Sequence, residues 1–438
     1  MKSFLLLLFL AGCCPVFADE GEMENGALQF TGDPEKDKQK ELVLPALSER
    51  PEATIADISD FLYDGTGTFQ FRVSSNCDVL IQLVDEKSMP VATLFSGKLL
   101  AGKHQIRWKG SASGAKIQAG SYSVVFRQGI SLEKDPAFGE AGSVQFKAPV
   151  NLMLAADGRL YVGESDKEAK EIIRLGADGK NAEVFKEFRS LLTLDDEGNV
   201  YCFNRRAVEV FSPEGSLVKS LGASPSIGFS CGPKDVYISR EGLGHTFMLG
   251  TGQPCVFVKQ GVSANLAPIH GKYVSPSLAS DRTGNIYAAD CFSTGAYKSS
   301  IAKYFFDGKK IEKSYHCLAS FKDIIGIACA PGNLIYGVER GTITLSNLVP
   351  GAWEPDKKAR LVQLHDTGSG LQKTASFELP EVQGARTLAV SSSGELVYVL
   401  EDSEDFSPGN ENSLKGLGRL FKYKFKYAQS KSFPIIFK

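Results

Sequence analysis

Charge of a single sign is what this chain most plainly lacks. Its 438 residues carry 49 Lys and Arg against 51 Asp and Glu, a net charge of −2. That balance leaves no basic footprint for nucleic acid. Histidine and tryptophan are scarce, at five and two residues, and the five His fall in separate segments at 104, 245, 270, 316 and 365. A multi-His metal centre is therefore disfavoured. No G-x-S-x-G, H-E-x-x-H, P-loop or Rossmann glycine motif occurs, which removes the commonest local signatures of hydrolases, zincins and nucleotide binders. The nine cysteines contain no C-x-x-C pair, so a zinc ribbon is excluded. Seven of them are widely spaced beyond the first 14 residues, several inside apolar runs such as Val200-Tyr201-Cys202-Phe203, and read as small buried hydrophobes. No segment is apolar for the ~20 residues a membrane-spanning helix needs.

What is abundant points to an all-β chain. Glycine numbers 44, phenylalanine 28 and tyrosine 14, and apolar residues make up 43%. Many glycines among aromatic and β-branched runs suit short strands joined by tight turns.

The chain opens with Met1-Lys2-Ser3 and an apolar run from Phe4 to Leu10, read as a secretory signal peptide over residues 1–18. Two processing sites compete. Val16-Phe17-Ala18 suits signal peptidase, and Leu10-Ala11-Gly12-Cys13 resembles a bacterial lipobox that would lipidate Cys13 and tether the N-terminus. Either way the protein is expected to be exported: extracellular, periplasmic or at the cell surface. Residues 19–56 are acidic and poor in apolar side chains, a flexible leader by composition.

From Phe69 the apolar residues alternate, with turn residues about every ten positions, which predicts a β-sandwich over residues 57–128. The motifs Val91-Ala92-Thr93-Leu94, Ala101-Gly102-Lys103-His104, Trp108-Lys109-Gly110 and Ala119-Gly120-Ser121-Tyr122 make this segment resemble the FlgD immunoglobulin-like domain. It departs from that pattern at Lys109, where the family usually has Asp. The resemblance implies a spacer or sorting module with Trp108 in its core.

Residues 129–438 hold an irregular repeat. An apolar strand, a polar turn and a Tyr-bearing strand recur, with Tyr161, Tyr201, Tyr237, Tyr287, Tyr336 and Tyr398 at steps of 40, 36, 50, 49 and 62 residues. Each step has room for four strands, and one such sheet cannot bury both faces alone, so six should close into a propeller. The hairpins, with Phe138-Gly139-Glu140-Ala141-Gly142 ahead of the first, resemble NHL repeats. The fold expected is all-β: an Ig-like β-sandwich followed by a six-bladed β-propeller. Closure is expected from Ser432–Phe437 as an outer strand, together with residues near Ile130 or Val144. Propeller amidating lyases need a multi-His zinc site, which the dispersed histidines do not offer.

One column of the repeat carries chemistry. Three residues after each Tyr stand Glu164, Asn204, Arg240, Asp290, Glu339 and Glu401. Carboxylates with an amide oxygen are a ligand set for a hard cation such as Ca²⁺. Gluconolactonase-like propellers hold a divalent ion in this way. The competing reading makes the same residues turn caps, or partners of Arg205, Arg240 and Arg340. Trp353, in a polar insert, and Arg240 are candidate ligand contacts. Two functions follow. The first is a non-catalytic binding or scaffold protein that needs no cofactor and presents a propeller face to a protein or glycan. The second is a divalent-metal-dependent lactonase- or lyase-type enzyme using Glu164, Asn204, Asp290, Glu339 and Glu401.

Overall fold

The computed structural model describes residues 55–437, apart from 109, 113–114, 148, 166–169, 196, 205–206, 223–232, 239–243, 251–252, 259–262, 266–276, 282–284, 291–297, 307–310, 323, 340–357, 383 and 402–417. The signal peptide, Cys13 and the acidic leader as far as residue 54 lie outside the described residues, whereas Ala56, expected to end that leader, is buried in the sandwich core and bonded to Gln128. Every regular element described is a strand, with no helix among the described residues.

Five four-stranded antiparallel sheets and part of a seven-stranded one form the six blades of a propeller. Blades 1 to 5 run consecutively: Pro149–Leu154 to Glu183–Glu187, Ser190–Leu194 to Leu217–Gly222, Pro233–Ile238 to Ser263–Asn265, Ser277–Ser280 to Ile311–Lys322, and Ile324–Ala330 to Leu371–Leu379. The first strand of each blade packs against the first strand of the next, and that of blade 6 (Ala385–Val390) returns to that of blade 1, so the ring is closed. The hydrophobic cores lie between blades, where neighbouring sheets cover each other's faces. Leu152, Leu160 and Val162 of blade 1 pack with Tyr398, Leu400 and Leu420 of blade 6.

The repeated tyrosines explain themselves here. Tyr161, Tyr287, Tyr336 and Tyr398 are at most 1% exposed, and each sits on the second strand of its blade. Several reach the following blade: Tyr287 Oη donates to Asp366 Oδ2 at 2.5 Å, Tyr398 Oη to the Ala177 carbonyl at 3.5 Å, and Tyr336 stacks on Phe425 with ring centroids 5.1 Å apart. The strand partner of the tyrosine reaches across as well. Lys303 opposite Tyr287 binds Asp366 at 2.7 Å, and Arg174 opposite Tyr161 donates to the Pro213 carbonyl. The repeat thus encodes latches between blades. Blade 3 differs, because the Tyr237 strand is the first of its sheet and its expected hairpin partner near 227–231 lies outside the described residues.

Closure departs from expectation in an informative way. Blade 6 consists of Ala385–Val390, Leu396–Glu401, the first part of Gly418–Phe437, and the second part of Gly120–Lys134. Ile130 to Lys134 pair with Tyr427 to Tyr423, and Val144–Phe146 pair with Gly418 to Leu420, so both expected N-terminal segments bind the last blade. Ser432–Phe437, however, is not an outer strand of the ring. It continues past the propeller and pairs with residues 120 to 125. Its alternate residues Phe433, Ile435 and Phe437 are apolar, and the sandwich core accepts them.

That sandwich has one sheet of Ile58–Tyr63, Thr68–Val73 and Gly102–Arg107. Its second sheet runs from the end of Gly418–Phe437 through Gly120–Lys134 and Cys77–Val84 to Pro90–Leu99. Phe69, Phe71, Ile81, Leu83, Val124, Phe126 and Ile435 fill the space between. Phe433 stacks on Phe61 at 4.4 Å, and the partly buried Trp108 meets Phe437 at 5.5 Å. The expected boundary at 128/129 therefore falls inside one strand. Two strands, 15 and 20 residues long, serve both regions.

Candidate functional site

The residues after the tyrosines stand where the second strand of a blade ends, on the face that also carries the links from one blade to the next. Glu164 lies opposite Pro149 in its hairpin and accepts the Lys147 backbone N–H at 2.6 Å. In blade 2, Asn204 Nδ2 donates to Glu209 Oε1 at 2.7 Å, and the other oxygen of Glu209 accepts from Arg189 Nε at 2.5 Å. In blade 5, the buried carboxylate of Glu339 pairs with Lys373 Nζ at 3.1 Å. In blade 6, the buried Glu401 accepts from Arg419 Nε at 2.5 Å and Nη2 at 3.1 Å. The Glu401 carboxylate raises the pKa of the Arg419 guanidinium by hydrogen bonding and keeps it charged.

Glu339 and Glu401 meet cations, Glu164 a backbone N–H, and Asn204 the carboxylate of Glu209. Each partner lies on the same blade or on the link leading into it. Asp290 ends the strand Asn285–Asp290, but its side chain, with Arg240 and Trp353, lies outside the described residues. Among the described residues no group of three or more His, Cys, Asp or Glu side chains is placed to hold a metal ion. Glu339 and Glu401 are each neutralised by a cation of their own blade, Lys373 and Arg419, which competes with any bound ion for the carboxylate.

The partners found differ from those expected. Arg189 lies on a blade link, Arg419 on the strand beside Glu401 and Lys373 two strands from Glu339, whereas the expected Arg205, Arg240 and Arg340 lie outside the described residues. A sequence signal did exist for one of them: Arg419 opens the strand whose next residue, Leu420, pairs with Leu400, which brings it beside Glu401. Arg189 and Lys373 had none, since they lie 20 and 34 residues from their acidic partners.

The opposite face holds charge that sequence reasoning missed altogether. Asp366 is 2% exposed and Lys303 is 6% exposed, and the pair joins blades 4 and 5 beneath Tyr287. Gly368 N–H satisfies the other oxygen of Asp366 at 2.8 Å. A buried pair of this kind needs its remaining hydrogen bonds, and here they are supplied. Beside it, Thr93 of the sandwich donates its N–H to the Gly332 carbonyl at 2.9 Å. A Cβ on Gly332, which has φ +77°, would come within 3.3 Å of the Ala92 and Thr93 backbone. Buried thiols carry no activation: burial pushes Cys202 up to about 12, far from the thiolate a nucleophile needs.

Comparison with known proteins adds shape only. No family model matches the chain, and no curated protein matches it. Among solved structures it is similar to a gluconolactonase from Xanthomonas campestris, at 11% identity over 85% of this chain and 99% of the other, with a TM-score of 0.42. It is similar to the calcium-binding protein regucalcin from Agrobacterium tumefaciens, at 14% identity over 66% and 97%, TM-score 0.44. A luciferin-regenerating enzyme gives 10% identity over 70% and 98%, TM-score 0.46. Likeness this distant says nothing of activity.

Proposed function

We propose that this is an exported, non-catalytic binding protein that presents the propeller face bearing Glu164, Asn204, Glu339 and Glu401 to a protein or glycan. The observation that carries this reading is how those residues are engaged: Glu164 accepts a backbone N–H, Asn204 donates to the Glu209 carboxylate, and Glu339 and Glu401 pair with Lys373 and Arg419. The export signal, the possible lipid anchor at Cys13 and the FlgD-like and NHL-like labels belong to the same proposal and rest on the sequence motifs. In that setting the sandwich, fused to blade 6 by two shared strands, works as a rigid mount for the ring.

The second reading is a divalent-metal-dependent lactonase- or lyase-type enzyme. The names of the similar solved propellers, a gluconolactonase and a calcium-binding regucalcin among them, accord with it better than with the first reading. Asp290 would be its central ligand, joined by a rearranged Glu339 or Glu401.

One experiment separates the two. Protein purified with chelator is melted with and without Ca²⁺ at about 100-fold over a micromolar Kd, a level at which a native-state ligand adds about 2.7 kcal/mol of stability. The binding reading expects no shift. A saturable upward shift that Asp290→Ala abolishes, while the variant stays folded, would establish the metal-dependent reading in its place.

A further inference from the structure

Phe188 stands where a glycine would be at ease. It links the last strand of blade 1 to the first of blade 2, on the face described above, with φ +55° and a relative exposure of 69%. A bulky residue in the left-handed region is strained, commonly by 1–3 kcal/mol. Its side chain recovers nothing obvious by packing. It is the most exposed large hydrophobic residue described, and none of the ring contacts described involves it. A residue that strains the backbone and buries little is not kept for stability.

What surrounds it is a fixed polar strip. Arg189 N–H donates to the Lys170 carbonyl, and Arg189 Nη1 donates to the Phe188 carbonyl, both at 3.2 Å. Arg189 then holds Glu209, which holds Asn204. The guanidinium and carboxylate cancel, so the strip has no net charge with which to select a phosphate or a free acid. It offers planar hydrogen-bonding groups beside one flat apolar ring. A sugar ring has the matching form: one face of C–H bonds that stacks on an aromatic ring, and a rim of hydroxyls that both donate and accept. A protein partner would call for a continuous apolar core instead of one ring in a polar setting.

We propose that Phe188 is the stacking platform of a saccharide-binding site spanning blades 1 and 2, with the Arg189–Glu209–Asn204 chain meeting the sugar hydroxyls. This rests on the binding-face reading and narrows its ligand to a neutral oligosaccharide. The strain at Phe188 is then retained for function, as a rigidly aimed ring.

The test titrates maltopentaose, cellopentaose and chitopentaose, each to about 10 mM, into full-length wild type, Phe188→Gly and Phe188→Tyr by calorimetry, a range that reaches millimolar Kd. Wild type is expected to bind at least one saccharide saturably, Phe188→Tyr to stay close to it, and Phe188→Gly to lose about tenfold or more. Thermal melts of the same proteins should show no loss of Tm in Phe188→Gly, because glycine relieves the backbone. The proposal is overturned if Phe188→Gly binds like wild type, if its Tm falls by several degrees, or if wild type binds none of the three. A silent panel with no Ca²⁺ response removes the saccharide and leaves the face to a protein ligand. A Ca²⁺ shift that depends on Asp290 removes the parent reading, whatever the saccharides do.

Discussion

The sandwich and the propeller solve the same problem, covering an apolar sheet, by opposite routes. Five of the six blades are built from consecutive strands, so each is a local event in the chain. The sandwich is assembled from residues 58 to 126 and from Phe433 and Ile435, more than 300 positions away. A repeat of local hairpins writes its period into the sequence. A non-local strand leaves only an alternating apolar segment that could pair with any open edge.

The greatest expected effect breaks that comparison at its seam. Deleting residues 428–438 removes the sandwich's edge strand but leaves Gly418 to Tyr427 in blade 6. The stacking of Phe433 on Phe61 and the burial of Ile435 are lost, and by cavity and transfer costs these two side chains alone are worth about 5 kcal/mol or more. Limited proteolysis should then cut within residues 57–128 while the ring resists. Simultaneous collapse of both regions would show that the shared ribbon makes them one cooperative unit.

A comparable loss is expected inside the ring. Asp366→Ala leaves the Lys303 ammonium buried without its carboxylate and removes the acceptor of Tyr287 Oη. Breaking a buried pair from one side costs about 3–5 kcal/mol. Chemical denaturation of the variant should show it, and Asp366→Asn, which keeps an acceptor for the tyrosine, should lose less. Smaller again is Gly332→Ala, which strains a φ of +77° and presses a methyl on the sandwich strand at Thr93. A loss of about 1–3 kcal/mol is expected from strain and overpacking where Gly332 meets the sandwich strand.

The smallest effect is titratable. Burial holds the His365 imidazole below its ordinary pKa, against the opposing pull of Asp366 and a hydrogen bond with the Thr93 backbone. The folded protein therefore takes up fewer protons than the unfolded chain as pH falls through about 6.5. Stability from this group is complete above that pH and is lost on acidification until the folded-state pKa is passed. His365→Gln should flatten the stability–pH curve just below about pH 6.5.

The period of the tyrosines made the ring and its six blades readable, because the tyrosine is the interblade latch and has to recur. The column of acidic residues was equally readable as a position, but its partners were not. Glu339 and Glu401 recur because the end of a blade's second strand tolerates a charge that a neighbouring strand can pair. Their cations, Lys373 and Arg419, follow no period, since each blade places its own. The continuation of the last strand into the sandwich was hidden for a different reason: Ser432–Phe437 suits an outer blade strand and a sandwich edge equally well by composition.

Whether that column is a set of ion pairs or a ring of repelling carboxylates is tested in sign by Glu401→Gln. Glu401 is 4% exposed and faces Arg419. Neutralising the carboxylate strands a partly buried guanidinium and lowers stability by about 1–3 kcal/mol in metal-free denaturation. A gain in stability would mean that like charges were being relieved, and would contradict the account.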